Sequence, residues 1–192
     1  MTDGGITIQV NLGFPGVEDA FQRLIQASKR LKPVFADFGE HLLREVEERF
    51  QTQTDPDGNP WVDLAPETWR RKKNPKILTE TTRLRGSFSY EESNEGLELG
   101  SPVVYGAIHQ FGGTIQVPPH DREIFLKIDP KTGRPGNRFV KKSRADFAQK
   151  VQVPGYEVEM PARPMLGITE RDADYFVERL ADHLQAAWQS GK

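Results

Sequence analysis

The sequence predicts a mixed α+β fold: a small antiparallel sheet packed with a long amphipathic helix, an extended β-arm and a C-terminal helix. Three observations predict it. Apolar residues recur at helical spacing from Pro33 to Phe50. Two short apolar segments flank the turn-forming residues 91–96, as in a β-hairpin. A second helical repeat of apolar residues leads to the C-terminus.

The long helix is the clearest element. After Pro33, which suits a first helical turn because its missing N–H costs nothing there, apolar residues follow at steps of three or four: Phe35, Phe38, Leu42, Val46 and Phe50. Charged residues fill most of the other positions, so we expect an amphipathic helix with a charged outer face. A shorter helix is predicted before it, from Val17 to Leu31.

Strands are predicted in three places. Ile6, Ile8, Val10 and Leu12 alternate with polar residues, which indicates a half-buried strand. Phe88 and Tyr90, then Leu97 and Leu99, form the predicted hairpin. Residues 114–160 alternate short β-like pieces with turn-rich stretches, and we interpret them as a β-arm or insertion within a single domain of residues 1–192.

Two further helices are predicted from their ends. Ser101-Pro102 opens a short helix that runs to Phe111 and is closed by Gly112-Gly113 in the C-cap position. Thr169 is a good N-cap for the last helix, because acidic residues follow it near the positive end of the helix dipole.

Composition limits the classes of protein that this chain can be. Hydrophobic residues make up 36% of the 192 residues, charged residues 28%, and mean hydropathy is −0.63. This apolar share is below that of an ordinary globular domain, so a neighbouring subunit is expected to complete some of the apolar surface. The net charge of −2 excludes a globally basic nucleic-acid binder, although a local basic surface remains open.

The chain contains no cysteine. That excludes disulfide scaffolds, thiolate zinc sites and cysteine nucleophiles, and it fits assembly in a reducing host cytoplasm. The first residues lack the features of a secretory signal, and no apolar run approaches the roughly 20 residues of a transmembrane helix. No membrane partner is therefore expected.

No motif points to catalysis. The four histidines are far apart in sequence, and neither HExxH, nor a G-x-S-x-G elbow, nor a phosphate-binding loop is present. We expect no enzyme activity, no catalytic residue, no metal site and no cofactor.

The order of several short motifs resembles the phage virion morphogenesis (tail-completion) family of Mu-like tailed phages. The end of the long helix leads into Gly58-Asn59-Pro60-Trp61, and Thr82-Arg83-Leu84-Arg85-Gly86-Ser87 follows, with arginine where the family usually has glycine. Tyr105-Gly106-Ala107-Ile108-His109-Gln110-Phe111-Gly112-Gly113 is similar to the family's "YAxiHQfGG" segment. Pro161-Ala162-Arg163-Pro164-Met165-Leu166-Gly167 resembles its "PARPFLG" element.

The resemblance implies a structural protein at the head–tail junction of a tailed phage, as a neck or tail-completion protein. Such proteins form a ring around the DNA channel, and a hexamer or dodecamer is the expected copy number. The expected partners are further copies of the chain, adjacent head-completion or connector proteins, and tail-terminator or tail-tube proteins. Packaged DNA in the channel is a further candidate.

Six residues are candidates for contacts with a subunit or partner: Trp61, Tyr105, His109, Gln110, Phe111 and Arg163. Tyr105, Ile108 and Phe111 are spaced to share one side of a short helix, which fits a core-facing stripe. His109 and Gln110 then face differently and fit a subunit contact. Arg163 lies between two prolines that stiffen the backbone and hold it outwards, for a fixed contact to a partner or for an ion pair within the chain.

Two basic clusters are candidates for contact with channel DNA or with an acidic partner. The first is a run that contains Arg70, Arg71, Lys72, Lys73 and Lys76. It fits phosphate contacts or a solvated charged face. The second lies in the predicted arm, where it points into a ring lumen or onto an acidic neighbour, and contains Lys131, Arg134, Arg138, Lys141, Lys142 and Arg144.

Two other functions remain open at this point. The chain could be a DNA-binding module that acts through the runs 70–76 and 131–144, and salt-dependent DNA affinity would then distinguish it from a structural subunit. It could also be an assembly factor that is absent from the finished particle.

Overall fold

The computed structural model describes residues 15–190. The strand predicted at Ile6–Leu12 lies outside them. The chain divides into two compact units: one holds the chain up to Gly106 together with the part from Arg163 onwards, and the other is Ala107–Ala162.

Five helices and seven strands are seen in the described residues. The helices are α1 (Pro15–Ser28), α2 (Lys32–Thr52), α3 (Pro66–Arg71), α4 (Gly106–Phe111) and α5 (Glu170–Gln189). The strands are β1 (Ser89–Glu92), β2 (Leu97–Gly100), β3 (Gly113–Val117), β4 (His120–Ile128), β5 (Pro135–Phe139), β6 (Phe147–Val153) and β7 (Tyr156–Met160). Every pairing of these seven strands is antiparallel. The predicted α+β class is therefore confirmed.

The core of the first unit forms on the apolar face of α2. Val46 and Phe50 are buried there against Trp61, and the Phe50 and Trp61 rings meet edge to face with centroids 5.4 Å apart. Ile77, Leu84 and Met165 complete the buried cluster. The predicted helical repeat therefore identifies the core-facing side of α2 correctly.

The β1–β2 hairpin is the sheet that packs on α2. Tyr90 pairs with Leu99 across the hairpin, and its hydroxyl donates a hydrogen bond to Glu40 at 2.9 Å. The Tyr90 ring lies so close to Gly39 that a Cβ atom there would approach it to 2.5 Å. A glycine in the middle of α2 thus allows the hairpin to approach the helix.

Helix α5 runs antiparallel to α1 and α2 and packs on both. Arg23 Nε donates to the Ala187 carbonyl at 3.2 Å, and His183 lies 3.2 Å from the Ala27 carbonyl. Nearer the N-terminal end of α5, the Phe176 ring contacts Phe35 and Phe38 with centroid distances of 5.4 and 5.0 Å. Residues near the start of α1 therefore lie beside the C-terminal end of α5.

The second unit is a β-ribbon. Strand β3 pairs with β7 and β4 pairs with β6, and β5 adds a third strand beside β4. The ribbon is interrupted between the β3–β7 pair and the β4–β6 pair. The break is formed by Pro118-Pro119 on one side and Pro154-Gly155 on the other, because proline cannot donate a hydrogen bond to a strand ladder. The prediction of one domain over 1–192 with an arm at 114–160 stays a prediction.

The predicted C-cap of the short helix and the predicted N-cap of the last helix are both confirmed. Gly112 has a φ of +71° and donates to the Ile108 carbonyl, as expected of a helix C-cap. Thr169 caps α5 through a reciprocal pair of hydrogen bonds with Asp172. The start of the short helix was predicted wrongly: it begins at Gly106, not at Ser101, because the Ser101 hydroxyl accepts the Val103 N–H and holds a turn.

No helix within residues 15–190 is long and apolar enough to cross a membrane.

Candidate interaction surfaces

Trp61 and Arg163, two of the predicted contact residues, lie together in the interior of the first unit. Trp61 Nε1 donates to the Pro164 carbonyl at 2.9 Å. Arg163 Nε donates to the Val62 carbonyl at 2.7 Å, and its Nη2 donates to the Asp63 carbonyl at 3.0 Å. The segments around Trp61 and Arg163 are thus joined by hydrogen bonds in both directions.

The expectation that Arg163 is held outwards is wrong. The side chain is 2% exposed, and Trp61 is 5% exposed. The flanking prolines do restrict the backbone, but the guanidinium points inwards because consecutive carbonyls at residues 62 and 63 match its planar fork of donors. Two backbone carbonyls hold the guanidinium in the folded chain, and Asp63 adds an electrostatic attraction.

A buried polar network that the sequence did not predict lies next to these residues. Asp172 Oδ1 accepts a hydrogen bond from His41 Nε2 at 2.7 Å, and Oδ2 accepts from the N–H and hydroxyl of Thr169, each at 2.8 Å. Arg49 Nη2 is 3.8 Å from Oδ2, while its Nη1 donates to the Met165 carbonyl at 2.9 Å. Burial acts to raise the pKa of Asp172, but the hydrogen bonds from Thr169 and His41 outweigh it and lower the pKa.

The spacing of residues along α2 could have indicated this network. His41 and Arg49 are polar residues at positions that face the core, three residues after Phe38 and three after Val46 respectively. A buried polar or charged group needs a partner, so both positions require a hydrogen-bonding or oppositely charged group from elsewhere in the fold. Asp172 supplies it, 131 residues after His41.

The same place contains a possible set of metal ligands. Within residues 15–190, His41, Glu45 and Asp172 present ligand atoms that lie within 4.8 Å of one another. However, both oxygens of Asp172 already accept hydrogen bonds, and Arg49 brings a positive charge beside them. These contacts fit a structural network better than a cation site.

The segment around the predicted Tyr105, His109, Gln110 and Phe111 contacts is largely at the surface. Tyr105 lies just before α4 and is exposed, and Phe111 is 79% exposed. His109 and Gln110 are half-buried. The expected core-facing stripe is therefore wrong for Tyr105 and Phe111. Tyr105 precedes the helix, which starts only at Gly106, and Phe111, its last residue, is exposed.

Two of the five basic residues of the first run form ion pairs within the chain. Arg70 pairs with Glu67, and Lys72 Nζ lies 2.9 Å from Glu80. Hydrogen bonds from Lys72 and from the backbone of Lys73 and Asn74 lower the pKa of Glu80 to about 2. Lys76 Nζ donates to the Gln51 carbonyl, and Arg71 and Lys73 are exposed. This pattern fits a solvated face better than a phosphate-binding surface.

The second basic cluster is different. Residues 130–145, around β5, contain six Lys or Arg residues and no acidic residue. All six side chains are exposed: Lys131, Arg134, Arg138, Lys141, Lys142 and Arg144. Lys142 Nζ lies 5.8 Å from the centroid of the Phe125 ring. The second unit as a whole has nine basic and six acidic residues, in a chain whose net charge is −2, so this end of the ribbon is locally basic.

The second unit has very little core of its own. Leu126 is the one apolar side chain of residues 107–162 that is buried, at 8% exposure. Large apolar side chains are exposed along the ribbon instead: Phe111, Ile115, Ile128, Phe139 and Tyr156. Exposed side chains of this kind become an interaction site where they form a contiguous patch.

The first unit has an apolar groove of about 340 Å³. It lies beside β2 and between α2 and α5, and its walls include Phe35, Phe38, Leu42, Leu97, Leu99 and Phe176. Leu166, Gly167 and Ile168, which precede α5, complete its lining.

Comparison with known proteins identifies the family to which this chain is similar. The model of the phage virion morphogenesis family matches residues 13–185. Protein G of Escherichia phage Mu, which is named for capsid assembly, is 34% identical over 102 residues; the match covers 48% of this chain and 65% of the Mu protein. The Mu-like prophage FluMu G protein 2 of Haemophilus influenzae is 26% identical over 180 residues, 94% of this chain and 96% of that protein.

No solved structure matches the chain. The family match covers most of the sequence, from just before α1 into α5. It includes Trp61 and Arg163, whose hydrogen bonds join the segment after α2 to the segment before α5. The chain therefore belongs to the phage virion morphogenesis family, and its role lies in building the phage particle.

Proposed function

We propose that this chain is a non-enzymatic structural subunit at the head–tail junction, where several copies form a ring around the DNA channel. A hexamer or a dodecamer fits such a ring. Its neighbours would be head-completion or connector proteins on one side and tail-terminator or tail-tube proteins on the other. Catalysis, a cofactor and a metal have no part in this proposal.

The observation that carries the proposal is the thin core of the second unit. A ribbon of 56 residues with one buried apolar side chain has little hydrophobic stabilisation of its own, since small domains need most of their apolar surface removed from water. Burying the exposed Phe111, Phe139 and Tyr156 against other subunits would supply it. A subunit of this kind is expected to be ordered by association.

The basic end of the ribbon supports a position near DNA. Six exposed positive charges without an acidic residue among them would face either the phosphates of DNA in the channel or an acidic surface on the adjoining ring. Sequence-independent contact of this kind suits a channel, because every base pair carries the same phosphates.

The test is to locate the protein in purified particles. We expect mass spectrometry of intact virions to find a few copies per particle, and antibody labelling seen by electron microscopy to fall at the neck. Labelling over the whole head would contradict the junction. Presence in precursor particles and absence from finished virions would instead identify an assembly factor, the role that the name of the Mu relative allows.

The same basic cluster supports a second candidate function, a DNA-binding module. Six phosphate contacts would give a slope of log affinity against log salt of roughly −5. Binding of duplex DNA with that slope, abolished by Arg134→Glu with Arg138→Glu and unaffected by Arg70→Glu with Arg71→Glu, would favour this function. A structural subunit that meets DNA only inside the assembled channel is expected to bind free DNA weakly in both variants.

A further inference from the structure

The charges of this chain are segregated along its sequence. Residues 130–145 contain six lysine or arginine residues and no acidic residue, whereas residues 86–121 contain no lysine or arginine. Within the second stretch, four glutamates lie in the eight residues 91–98. The chain as a whole is almost balanced, with 26 basic and 28 acidic residues. It therefore has one strongly basic and one strongly acidic segment, and the two belong to different units.

The acidic segment is the β1–β2 hairpin. Its four glutamates line a surface hollow of about 480 Å³ that no basic residue lines: Glu91, Glu92, Glu95 and Glu98. Glu92 forms an ion pair with Lys32 at 3.5 Å. The other three glutamates are exposed and form no ion pair with any residue of 15–190. The hollow therefore has negative charge that is left uncompensated.

Two of these glutamates repel each other. Glu91 and Glu98 are direct partners in the antiparallel register, and both are on the exposed face of the hairpin. Directly opposed residues have Cβ atoms about 5 Å apart, and like charges at that spacing destabilise a sheet. A positively charged partner on this face would remove the repulsion.

The basic segment is the end of the ribbon around β5. None of its six basic side chains forms an ion pair with an acidic residue of 107–162: Lys131, Arg134, Arg138, Lys141, Lys142 and Arg144. The two acidic residues that flank the segment bind backbone groups instead. Asp129 Oδ1 accepts a hydrogen bond from the Lys131 N–H at 2.8 Å, and Asp146 Oδ2 accepts one from the Ile128 N–H at 3.4 Å. The six positive charges are thus available to a partner.

Charge complementarity favours a second copy of the chain as that partner. Channel DNA would match the basic end but would leave the acidic hairpin unmatched, whereas a second copy matches both surfaces. Strand β4 has nine residues and spans about 30 Å, which is about the diameter of a small domain. The ribbon is therefore long enough to carry its basic end to an adjacent subunit.

We propose that the basic end of the ribbon of one copy docks on the acidic hairpin of the next copy. The guanidinium groups of Arg134, Arg138 and Arg144 suit this contact, because arginine binds a carboxylate through two parallel hydrogen bonds. The two surfaces are different parts of one chain, so the contact is head to tail and closes into a ring when the rotation allows. The proposal rests on the self-association proposed above and names the surfaces that produce it.

Charge reversal on each side of the contact tests the pairing. Arg134→Glu with Arg138→Glu reverses the basic end, and Glu91→Lys with Glu98→Lys reverses the hairpin. Each variant alone is expected to associate about a hundredfold or more weakly than the native chain, because like charges then face each other. An equimolar mixture of the two variants is expected to regain the assembled mass, since the two kinds of chain can alternate around a ring of six or twelve.

The measurement is light scattering of full-length chains, with the same added particles wherever the native chain needs them. The matched controls are double reversals at exposed positions outside both segments. They are Arg70→Glu with Arg71→Glu and Glu48→Lys with Asp174→Lys, and both are expected to keep the assembled mass. Equal loss in the controls, or no loss in either test variant, would overturn the proposal.

The mixture also distinguishes between partners. A chain that carries all four substitutions and assembles, while the mixture does not, would place the contact within one chain and overturn docking between copies. A reversed basic end that no reversed hairpin rescues would overturn the proposal in favour of DNA or another protein.

A trapped contact separates this inference from the proposed ring. The chain has no cysteine, so chains with Glu95→Cys can be mixed with chains that carry Arg134→Cys, Arg138→Cys or Lys141→Cys and then oxidised. We expect a disulfide-linked dimer with one chain of each kind for at least one of the three positions, and none when Asp174→Cys replaces Glu95→Cys.

The combined outcomes are distinct. A ring that ignores both reversals and gives no mixed disulfide would overturn the docking while the ring stands. Mixed disulfides in an open chain of subunits would support the docking and contradict the closed ring. A native chain that neither associates nor forms mixed disulfides would overturn both.

Discussion

His41 Nε2 lies 2.7 Å from Asp172 Oδ1, and this hydrogen bond joins the middle of α2 to the first turn of α5. Asp172 is also the residue that closes the capping box of α5 with Thr169. One carboxylate thus caps the start of α5, accepts a hydrogen bond from His41 and lies beside the positive charge of Arg49 on α2.

Replacing Asp172 is therefore expected to be strongly destabilising. In Asp172→Asn the carboxylate charge beside Arg49 is lost while the volume is kept, and removing one partner of a buried pair costs about 3–5 kcal/mol. Urea unfolding at neutral pH measures this loss. Asp174→Asn, at an exposed position on the same helix, is the matched control and is expected to change the free energy of unfolding by less than about 0.5 kcal/mol.

The contribution of Asp172 is expected to vanish in acid. Its pKa is lowered from the ordinary 3.8 in the folded chain, so the folded state favours the ionised form and the stabilisation is fully present above that value. It is lost as the pH falls from about 4 through the lowered pKa. The difference in unfolding free energy between the native chain and Asp172→Asn should shrink between pH 7 and pH 3. A constant difference would show that the charge is not the cause.

Arg163→Lys is expected to destabilise the first unit although the charge is kept. Lysine has no planar fork, so it cannot donate to the Val62 and Asp63 carbonyls together. A buried acceptor without its donor costs about 1–3 kcal/mol. Thermal and urea unfolding compare this variant with Arg171→Lys, an exposed position where no loss is expected. Equal stability of the two variants would contradict the interior role of Arg163.

Gly39→Ala tests the packing of the hairpin on α2. Alanine is the better helix former by about 1 kcal/mol, but its Cβ would meet the Tyr90 ring at 2.5 Å, so we expect a net loss of about 1–3 kcal/mol. Gly16→Ala in α1 has open space around it and is expected to leave the free energy of unfolding unchanged or to raise it. A gain at both positions would show that the ring moves away at little cost.

These contacts show which features a sequence can predict. The α2 repeat, the hairpin and the Thr169 cap depend on residues that are close in sequence, and all three are confirmed. The inward turn of Arg163 and the His41–Asp172 pair depend on segments that are about 100 or more residues apart. Spacing alone could mark His41 and Arg49 as polar residues on an apolar face, but it could not name their partner.

The candidate contacts were less predictable than the fold for a related reason. Trp61 and Tyr105 both belong to motifs of the family, yet one is buried and the other is exposed. A motif residue can be kept by the interior or by a partner, and its letter does not say which. The thin core of residues 107–162, which favours association, becomes apparent only when the burial of each strand is known.

The most direct test of the ring is the mass of the purified full-length chain in solution, measured by light scattering alone and after addition of headless tails or tailless heads. We expect either a discrete oligomer of six or twelve copies, or a monomer that reaches that mass only when one type of particle is added. A chain that stays monomeric with both particle types, at concentrations well above those in an infected cell, would contradict the proposed ring at the head–tail junction.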